Sequence, residues 1–257
     1  MATYTTEIAS DKIVSDNPIH QRLLQAYHEA IPYIKGKVLE PGCGEGRGIA
    51  LLSPAADEYV ALDKIEDVIK ELKHKFPSVD FRQAVFPPFH QLEDDYFDTV
   101  ISFQVIEHIK DDRLFLEEIH RVLKPGGQAI ITTPNIKMSL SRNPWHEREY
   151  TNKELKDLAG SIFSKVEMKG IAGNEKVMEY HEQNRASVAR ITRFDIFNLQ
   201  YHLPNALLRI PYDILNRLNR NNLQKQDEGL VTEIDRTDYY LRDQEEDNLD
   251  LFCIVTK

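Results

Sequence analysis

The fold of this chain is decided by one short stretch, VLEPGCGEG at residues 38–46. An apolar strand runs into glycines at positions 42, 44 and 46. Glycines let the backbone turn sharply, and they let a ligand approach where a Cβ atom would collide. A helical pattern follows near Gly46, so we expect the first amide groups of a helix to face that ligand. The arrangement favours an α/β fold with a ligand site on its first strand.

The segments after this turn extend the same pattern over the first two thirds of the chain. Apolar runs at residues 58–63, 79–85, 97–103 and 128–133 alternate with helical patterns at 65–76 and 111–123, as in parallel α/β units. Runs without polar alternation, such as TVIS at 99–102, indicate strands covered on both faces. Two further strands are predicted at 163–171 and 249–256. The sequence thus predicts a Rossmann-like, seven-stranded, mostly parallel sheet with helices on both faces.

Residues 173–248 do not continue this alternation of strands and helices. They carry amphipathic helical patterns at 188–200 and 212–219. Before this segment, a capping box of Thr151 and Glu154 predicts the start of another helix. We therefore expect a single domain over residues 1–257, with 173–248 inserted before the last strand as a helical cap. The cap aromatics Phe194, Phe197 and Tyr201 are expected to pack in its core, with arginines in solvent.

Composition and charge exclude several classes of protein. The 257 residues carry a net charge of −10, which argues against a nucleic-acid binder. No apolar run reaches the roughly 18 residues of a membrane-spanning helix, and the start of the sequence lacks a secretory pattern. The two cysteines, Cys43 and Cys253, form neither a disulfide scaffold nor a metal-binding motif. We expect a cytoplasmic protein without a bound metal.

The glycine spacing separates two kinds of nucleotide ligand. A dinucleotide site needs G-x-G-x-x-G, but the third glycine position falls on Arg47 or Ile49, depending on the starting glycine. Glu40 before the turn would repel a pyrophosphate and suits a ligand that carries ammonium and sulfonium charges.

With these motifs in order, the chain resembles the class I S-adenosylmethionine-dependent methyltransferases, in a small soluble subgroup similar to the quinone-biosynthesis O-methyltransferases. The motifs are EPGCGEG at 40–46, Asp63 after the second strand, FDTVISFQVIEH at 97–108, LKPGG at 123–127 and TPN at 133–135. The resemblance covers residues 36–171 and the last strand. It implies S-adenosylmethionine as cofactor. The cofactor contacts that it implies are Glu40, Gly42, Cys43, Gly44, Gly46, Asp63, Lys64, Val85, Phe86, Phe103 and Gln104.

The resemblance and the chemistry of methyl transfer together indicate where a base would lie. A hydroxyl acceptor needs a group that takes its proton, and the candidates after the fourth and fifth strands are His108, His146, Glu149 and Tyr150. His108 has an alternative role in packing, and the loop at 143–150 has an alternative role as a rigid lid. Asp63 has an alternative role as a helix cap, and Phe103 as a core residue.

The expected reaction is methylation of a small-molecule acceptor, at oxygen rather than at nitrogen or carbon. Two alternatives remain open at this point: an NAD(P)-dependent oxidoreductase and a catalytically silent cofactor-binding module. Residues 185–222 carry a net charge of +4 and residues 225–250 a net charge of −7. These two segments are expected to form solvated faces that partly neutralise each other. The alternative role of the cap's arginines and aromatic residues is a specificity pocket for an anionic, lipid-linked or aromatic acceptor, and peripheral membrane contact through the cap is also open. The sequence does not determine the oligomeric state.

Overall fold

The chain folds around one eight-stranded sheet in which β1 to β6 share a direction. The computed structural model describes residues 12–195 and 198–257. The strand order is β3-β2-β1-β4-β5-β8-β6-β7. β8 is antiparallel to β5 and β6, and β7 is antiparallel to β6. The strands are β1 (Lys37–Pro41), β2 (Glu58–Asp63), β3 (Asp80–Gln83), β4 (Phe97–Phe103), β5 (Leu123–Pro134), β6 (Lys165–Gly173), β7 (Tyr239–Asp243) and β8 (Asp250–Thr256).

Helices follow most strands and cover both faces of the sheet. They are α1 (Asn17–Ala30), α2 (Ile49–Leu52), α3 (Glu66–Lys75), α4 (Asp112–Val122), α5 (Asn152–Gly160), α6 (Glu175–Thr192), α7 (Leu199–His202), α8 (Asn205–Gln226) and α9 (Glu228–Glu233). The capping box of Thr151 and Glu154 opens α5 as predicted. Among these described helices, none is both long enough and apolar enough to span a bilayer.

Alternate residues of the central strands pack into two hydrophobic cores, one on each face of the sheet. Val38 and Ile101 belong to one core, and their neighbours Leu39 and Val100 to the other. Because successive side chains of a strand point to opposite faces, both faces of the sheet are buried. This double burial confirms the expectation drawn from the unbroken apolar runs.

The predicted α/β fold is confirmed, and three details differ from the prediction. The sheet has eight strands because β7 forms an edge strand inside the segment expected to be helical. The helix predicted at 188–200 is wrong, since α6 ends at Thr192 and α7 begins at Leu199. The helix after the glycine turn begins at Ile49 rather than near Gly46, and it is a single turn.

Asp16, just before α1, ties the cap to the start of the domain. Its carboxylate is fully buried and accepts hydrogen bonds from Arg217 at 2.7 Å and Arg220 at 2.9 Å. Burial alone would raise the pKa of Asp16, but the two guanidinium groups hold it below its ordinary value. These cap arginines therefore have a structural partner.

Candidate functional site

The glycine turn leaves open space at Gly44. Gly42 and Gly44 both have positive φ angles, +82° and +50°. A Cβ atom at Gly42 would collide with Val105, whereas a Cβ atom at Gly44 would meet no atom within 4 Å. Gly42 is therefore required for packing, and Gly44 faces a cavity.

That cavity, which we call the turn cavity, has a volume of about 450 Å³. It lies between the glycine turn, α1, α3 and the end of β4. A volume of this size accommodates a nucleoside-sized ligand. The predicted cofactor residues that line it are Gly42, Cys43, Gly44, Gly46, Phe103 and Gln104.

Helix α1 covers the turn cavity with apolar side chains. Leu23 and Leu24 line it, and the Tyr27 ring meets Phe103 edge-on with 4.7 Å between ring centroids. Phe103 is therefore both buried and part of the cavity wall, so the two roles considered for it coexist. An aromatic wall of this kind can attract a cationic ligand.

Glu40 lies beneath the turn and is 1% exposed. Its carboxylate oxygens accept hydrogen bonds from the Tyr27 hydroxyl at 2.8 Å and the Tyr59 hydroxyl at 2.7 Å. Burial raises the pKa of Glu40 to about 7, although the two hydrogen bonds oppose that rise. Glu40 thus holds α1, β1 and β2 together and is outside the lining of the cavity.

Asp63, at the end of β2, contacts the turn directly. One of its oxygens accepts from the Gly44 amide at 2.9 Å, and the other accepts from the Ile65 amide at 3.0 Å. The carboxylate therefore links the glycine turn to the segment just before α3, and it lies outside the lining of the turn cavity.

The remaining predicted cofactor residues lie away from the turn cavity. Lys64 is exposed, and Val85 is 79% exposed. Phe86 packs against Phe89 and stacks on Phe115 at 5.8 Å. Gly-rich turns can be recognised from sequence, but the loop after β3 carries no comparable signal.

A second cavity, which we call the loop cavity, has a volume of about 210 Å³. It lies between the loop at 135–149, α1, α6 and α8. His146 and Glu149 line it, and the His146 Nδ1 and Glu149 Oε1 atoms are 2.6 Å apart. The Asn143 side-chain amide lies 2.8 Å from His146 Nε2. Glu149 also accepts a hydrogen bond from the Ser139 hydroxyl.

The other two predicted bases are held elsewhere. The His108 Nδ1 atom lies 2.9 Å from the Trp145 carbonyl oxygen, and its ring meets that of His146 edge-on at 4.9 Å. Tyr150 is fully buried, and its hydroxyl donates to Asp112 at 2.8 Å. Burial, and then the Asp112 carboxylate, raise the pKa of Tyr150. The structure therefore gives Tyr150 a packing role, contrary to its selection as a base.

Two clusters of ionisable side chains, near the ends of β4 and β5, were not predicted from the sequence. Asp250 is buried at the start of β8, with Arg22 Nε 3.1 Å from its Oδ2 atom. Burial raises the pKa of Asp250 to about 6, although Arg22 opposes that rise. Glu107, His108 and His146 place their ligand atoms within 4.8 Å of one another. No motif could reveal either grouping, because distant segments meet only in the folded chain.

Part of the chain is similar to known methyltransferases. A family profile described as "Methyltransferase domain" matches residues 39–131. The chain is 39% identical over 135 residues to a "Probable S-adenosylmethionine-dependent methyltransferase" of Mycolicibacterium smegmatis, covering 51% of this chain and 52% of that protein. It is 29% identical over 136 residues to the mitochondrial ubiquinone biosynthesis O-methyltransferase of Dictyostelium discoideum, covering 48% of this chain and 39% of that protein. The chain thus spans about half the length of the first of these relatives.

Solved structures share the fold over nearly the whole chain. A crystal structure of an S-adenosylmethionine-dependent methyltransferase from Thermotoga maritima matches with a TM-score of 0.59. The match covers 95% of this chain and 91% of that one, at 16% identity. At this identity the similarity establishes the fold alone.

Proposed function

We infer that this chain belongs to the S-adenosylmethionine-dependent methyltransferases and transfers a methyl group from that cofactor to a hydroxyl of a small-molecule acceptor. The observation that carries the acceptor half of this inference is the His146–Glu149 pair, because its two side chains contact each other and line the loop cavity. The ubiquinone O-methyltransferase relative supports oxygen as the methylated atom.

The turn cavity is the place for the cofactor. A side chain at Gly44 would fill space that is open beside the turn, and Asp63 lies within hydrogen-bond distance of the Gly44 amide. We assign the turn at Gly44 and the carboxylate of Asp63 to cofactor binding, with Tyr27 and Phe103 as the aromatic wall. The bound cofactor supplies a methyl group on a positively charged sulfur.

His146 has the contacts of a general base. We assign the proton of His146 to Nδ1, where it forms a hydrogen bond to the Glu149 carboxylate, and this leaves the Nε2 lone pair for the acceptor. The Asn143 amide donates to that lone pair at 2.8 Å, so an acceptor hydroxyl must displace it. His146 would then take the hydroxyl proton as the oxygen attacks.

Helix α1 contributes residues to both cavities. Its residues Pro18, Ile19 and Arg22 line the loop cavity, whereas Leu23 and Leu24 line the turn cavity. Acceptor and methyl donor can react only within about 3.5 Å of each other. We therefore assign to α1 the alignment of the two ligands and the exclusion of water.

The test is an acceptor screen that measures formation of the demethylated cofactor. Phenols, catechols and aliphatic alcohols should include a substrate for the wild type. On that substrate His146→Ala should lower kcat by about 10²- to 10⁴-fold, while His74→Ala, at an exposed site on α3, should leave it unchanged. Turnover at the wild-type rate by His146→Ala would refute the base.

Cofactor binding without turnover of any acceptor would instead favour a silent binding module. A thermal shift with NADH or NADPH alone would restore the oxidoreductase. The acceptor screen and the thermal shift together therefore distinguish a methyltransferase, a silent binding module and an oxidoreductase.

A further inference from the structure

The cap carries an exposed apolar surface. Among the described residues, eight of the thirteen exposed large hydrophobic side chains fall within positions 194–218. Sequence analysis expected the cap aromatics to be packed, but Phe194 is 73% exposed and Tyr201 is 61% exposed. Phe197 lies outside the described residues. An exposed hydrophobic patch of this kind indicates an interaction site.

Helix α8 presents the centre of this surface as a stripe. Leu207, Ile210, Ile214 and Leu218 are between 53% and 72% exposed. Their spacings of three, four and four residues place them within an arc of about 80° on an α-helix. We call them the α8 stripe. A stripe of exposed apolar side chains along one face of a helix is the pattern of a helix that lies in a membrane interface.

The charges beside the stripe favour an anionic partner. Arg190 and Arg193 are exposed at the end of α6, and the Arg193 guanidinium lies 5.0 Å from the centre of the Phe194 ring. The nearby acids are turned inward. Asp195 accepts from the amides of residues 199 and 200, and Asp213 accepts from the Trp145 indole.

An apolar groove lies between the exposed surface and the loop cavity. The groove has a volume of about 500 Å³. Phe194, Leu199 and Leu215 belong both to its wall and to the exposed surface. At its inner end Tyr212 and Asn219 line both the groove and the loop cavity. The groove, which opens on the exposed apolar surface, therefore shares a wall with the cavity that His146 and Glu149 line.

We propose that the α8 stripe, with Phe194, Tyr201 and the flanking Arg190 and Arg193, docks this protein on an anionic lipid bilayer. The groove then admits the apolar chain of an acceptor taken from that bilayer, with the polar end reaching the loop cavity. This second step rests on the proposed function; the docking itself does not.

A bilayer fits these observations better than a protein partner. A protein interface would use the stripe alone and would give the groove no role. A lipid surface offers both an apolar layer for the stripe and chains that can enter the groove, and its phosphates match the two exposed arginines. The overall charge of −10 makes a local cationic rim necessary for approach to an anionic surface.

The test is co-sedimentation of the full chain with vesicles of phosphatidylcholine alone and with one quarter phosphatidylglycerol. The wild type should bind the anionic vesicles more tightly. Ile210→Asp with Ile214→Asp should lower the partition coefficient by about 100-fold, roughly tenfold for each buried apolar side chain lost. The control is Ile31→Asp, because Ile31 directly follows α1, is 39% exposed and lies outside the cap. It should bind like the wild type.

Arg193→Glu separates charge from apolar contact. It should weaken binding to the anionic vesicles at least fivefold and leave binding to phosphatidylcholine unchanged. All substituted side chains in this series are exposed, so thermal unfolding in the presence of the cofactor should remain that of the wild type.

Three results would overturn the docking proposal: no vesicle binding by the wild type, undiminished binding by the double variant, or a wild-type dimer that the double variant dissociates. Cofactor binding and turnover of a short-chain acceptor report on the proposed function separately. If they persist while vesicle binding is absent, only the docking is refuted. If the cofactor fails to bind, the proposed function falls, and vesicle binding is still judged on its own.

Discussion

Replacement of Gly44 by valine tests the cofactor assignment with little damage to the fold. Gly44 has a φ of +50°, and a Cβ atom there meets nothing within 4 Å. The substitution therefore introduces backbone strain without a steric clash. A left-handed conformation costs a side-chain-bearing residue about 1–2 kcal/mol, which in a chain of this length lowers the melting temperature by roughly 2–8 °C.

The loss of ligand binding should be the larger effect. At 100 times its dissociation constant, S-adenosylmethionine adds about 2.7 kcal/mol to the free energy of unfolding. This should raise the wild-type melting temperature by roughly 5–10 °C. The valine side chain would stand in the turn cavity, where the ligand must approach, so Gly44→Val should show no shift. Differential scanning fluorimetry with and without the cofactor measures both quantities.

Gly126 offers a matched control. It has a φ of +75°, and a Cβ atom there also meets nothing within 4 Å. It lies at the far end of β5, where its amide donates to the carbonyl of Lys257 at 3.3 Å. Gly126→Val should therefore carry the same strain but keep the full cofactor shift. A full shift in Gly44→Val, or its loss in both variants, would refute the placement of the cofactor at this turn.

Three further substitutions test the supporting contacts. Glu40 has a folded-state pKa of about 7, above its ordinary 4.5, so the folded state holds a proton that the unfolded state has released. Its contribution to the unfolding free energy should fall by about 3 kcal/mol as the pH rises from 4.5 to 7. In urea titrations at pH 5 and 8, the stability of Glu40→Gln relative to the wild type should rise by that amount; an unchanged difference would contradict the raised pKa. Asp16→Asn should cost about 3 kcal/mol in urea unfolding because it leaves the mostly buried Arg220 charge without its carboxylate, whereas Asp80→Asn, in an exposed pair with Arg82, should cost about 0.5 kcal/mol or less. Tyr150→Phe removes the hydrogen bond to Asp112 and should cost about 1 kcal/mol of stability, with kcat within about twofold of the wild type; a loss of turnover comparable to that of His146→Ala would return Tyr150 to the candidate bases.

The glycine turn, to which we assign the cofactor, could be predicted from sequence because its parts are local. Gly42, Gly44 and Gly46 mark the turn by residue type alone, and Asp63 follows an apolar strand that the pattern identifies. Parallel strands bring their carboxyl ends to one edge, so β1, β2 and β4 converge without further information. The eighth strand, β7, was not predicted because it is a short edge strand. Its residues are mostly exposed or half-buried, and its sequence has no continuous apolar run.

The acceptor side could be predicted only as a list of candidates. The sequence placed His146, Glu149 and Tyr150 on one loop, and residue type could not say which of them would face a cavity. In the folded chain, His146 and Glu149 line the loop cavity, whereas Tyr150 is buried and donates a hydrogen bond to Asp112. That separation depends on contacts with α4 and with the cap, and such contacts have no signature in the local sequence.

The cap shows the same limit in its hydrophobic pattern. An amphipathic period identifies an apolar face, but it does not say whether that face meets the domain or the solvent. In α8 both occur, because Leu223 is buried against the domain while the α8 stripe is exposed. Asp16 holds this helix through Arg217 and Arg220, so one side of α8 is fixed to the domain by charge. Its apolar side is thereby left outward, next to the groove that shares Tyr212 and Asn219 with the loop cavity.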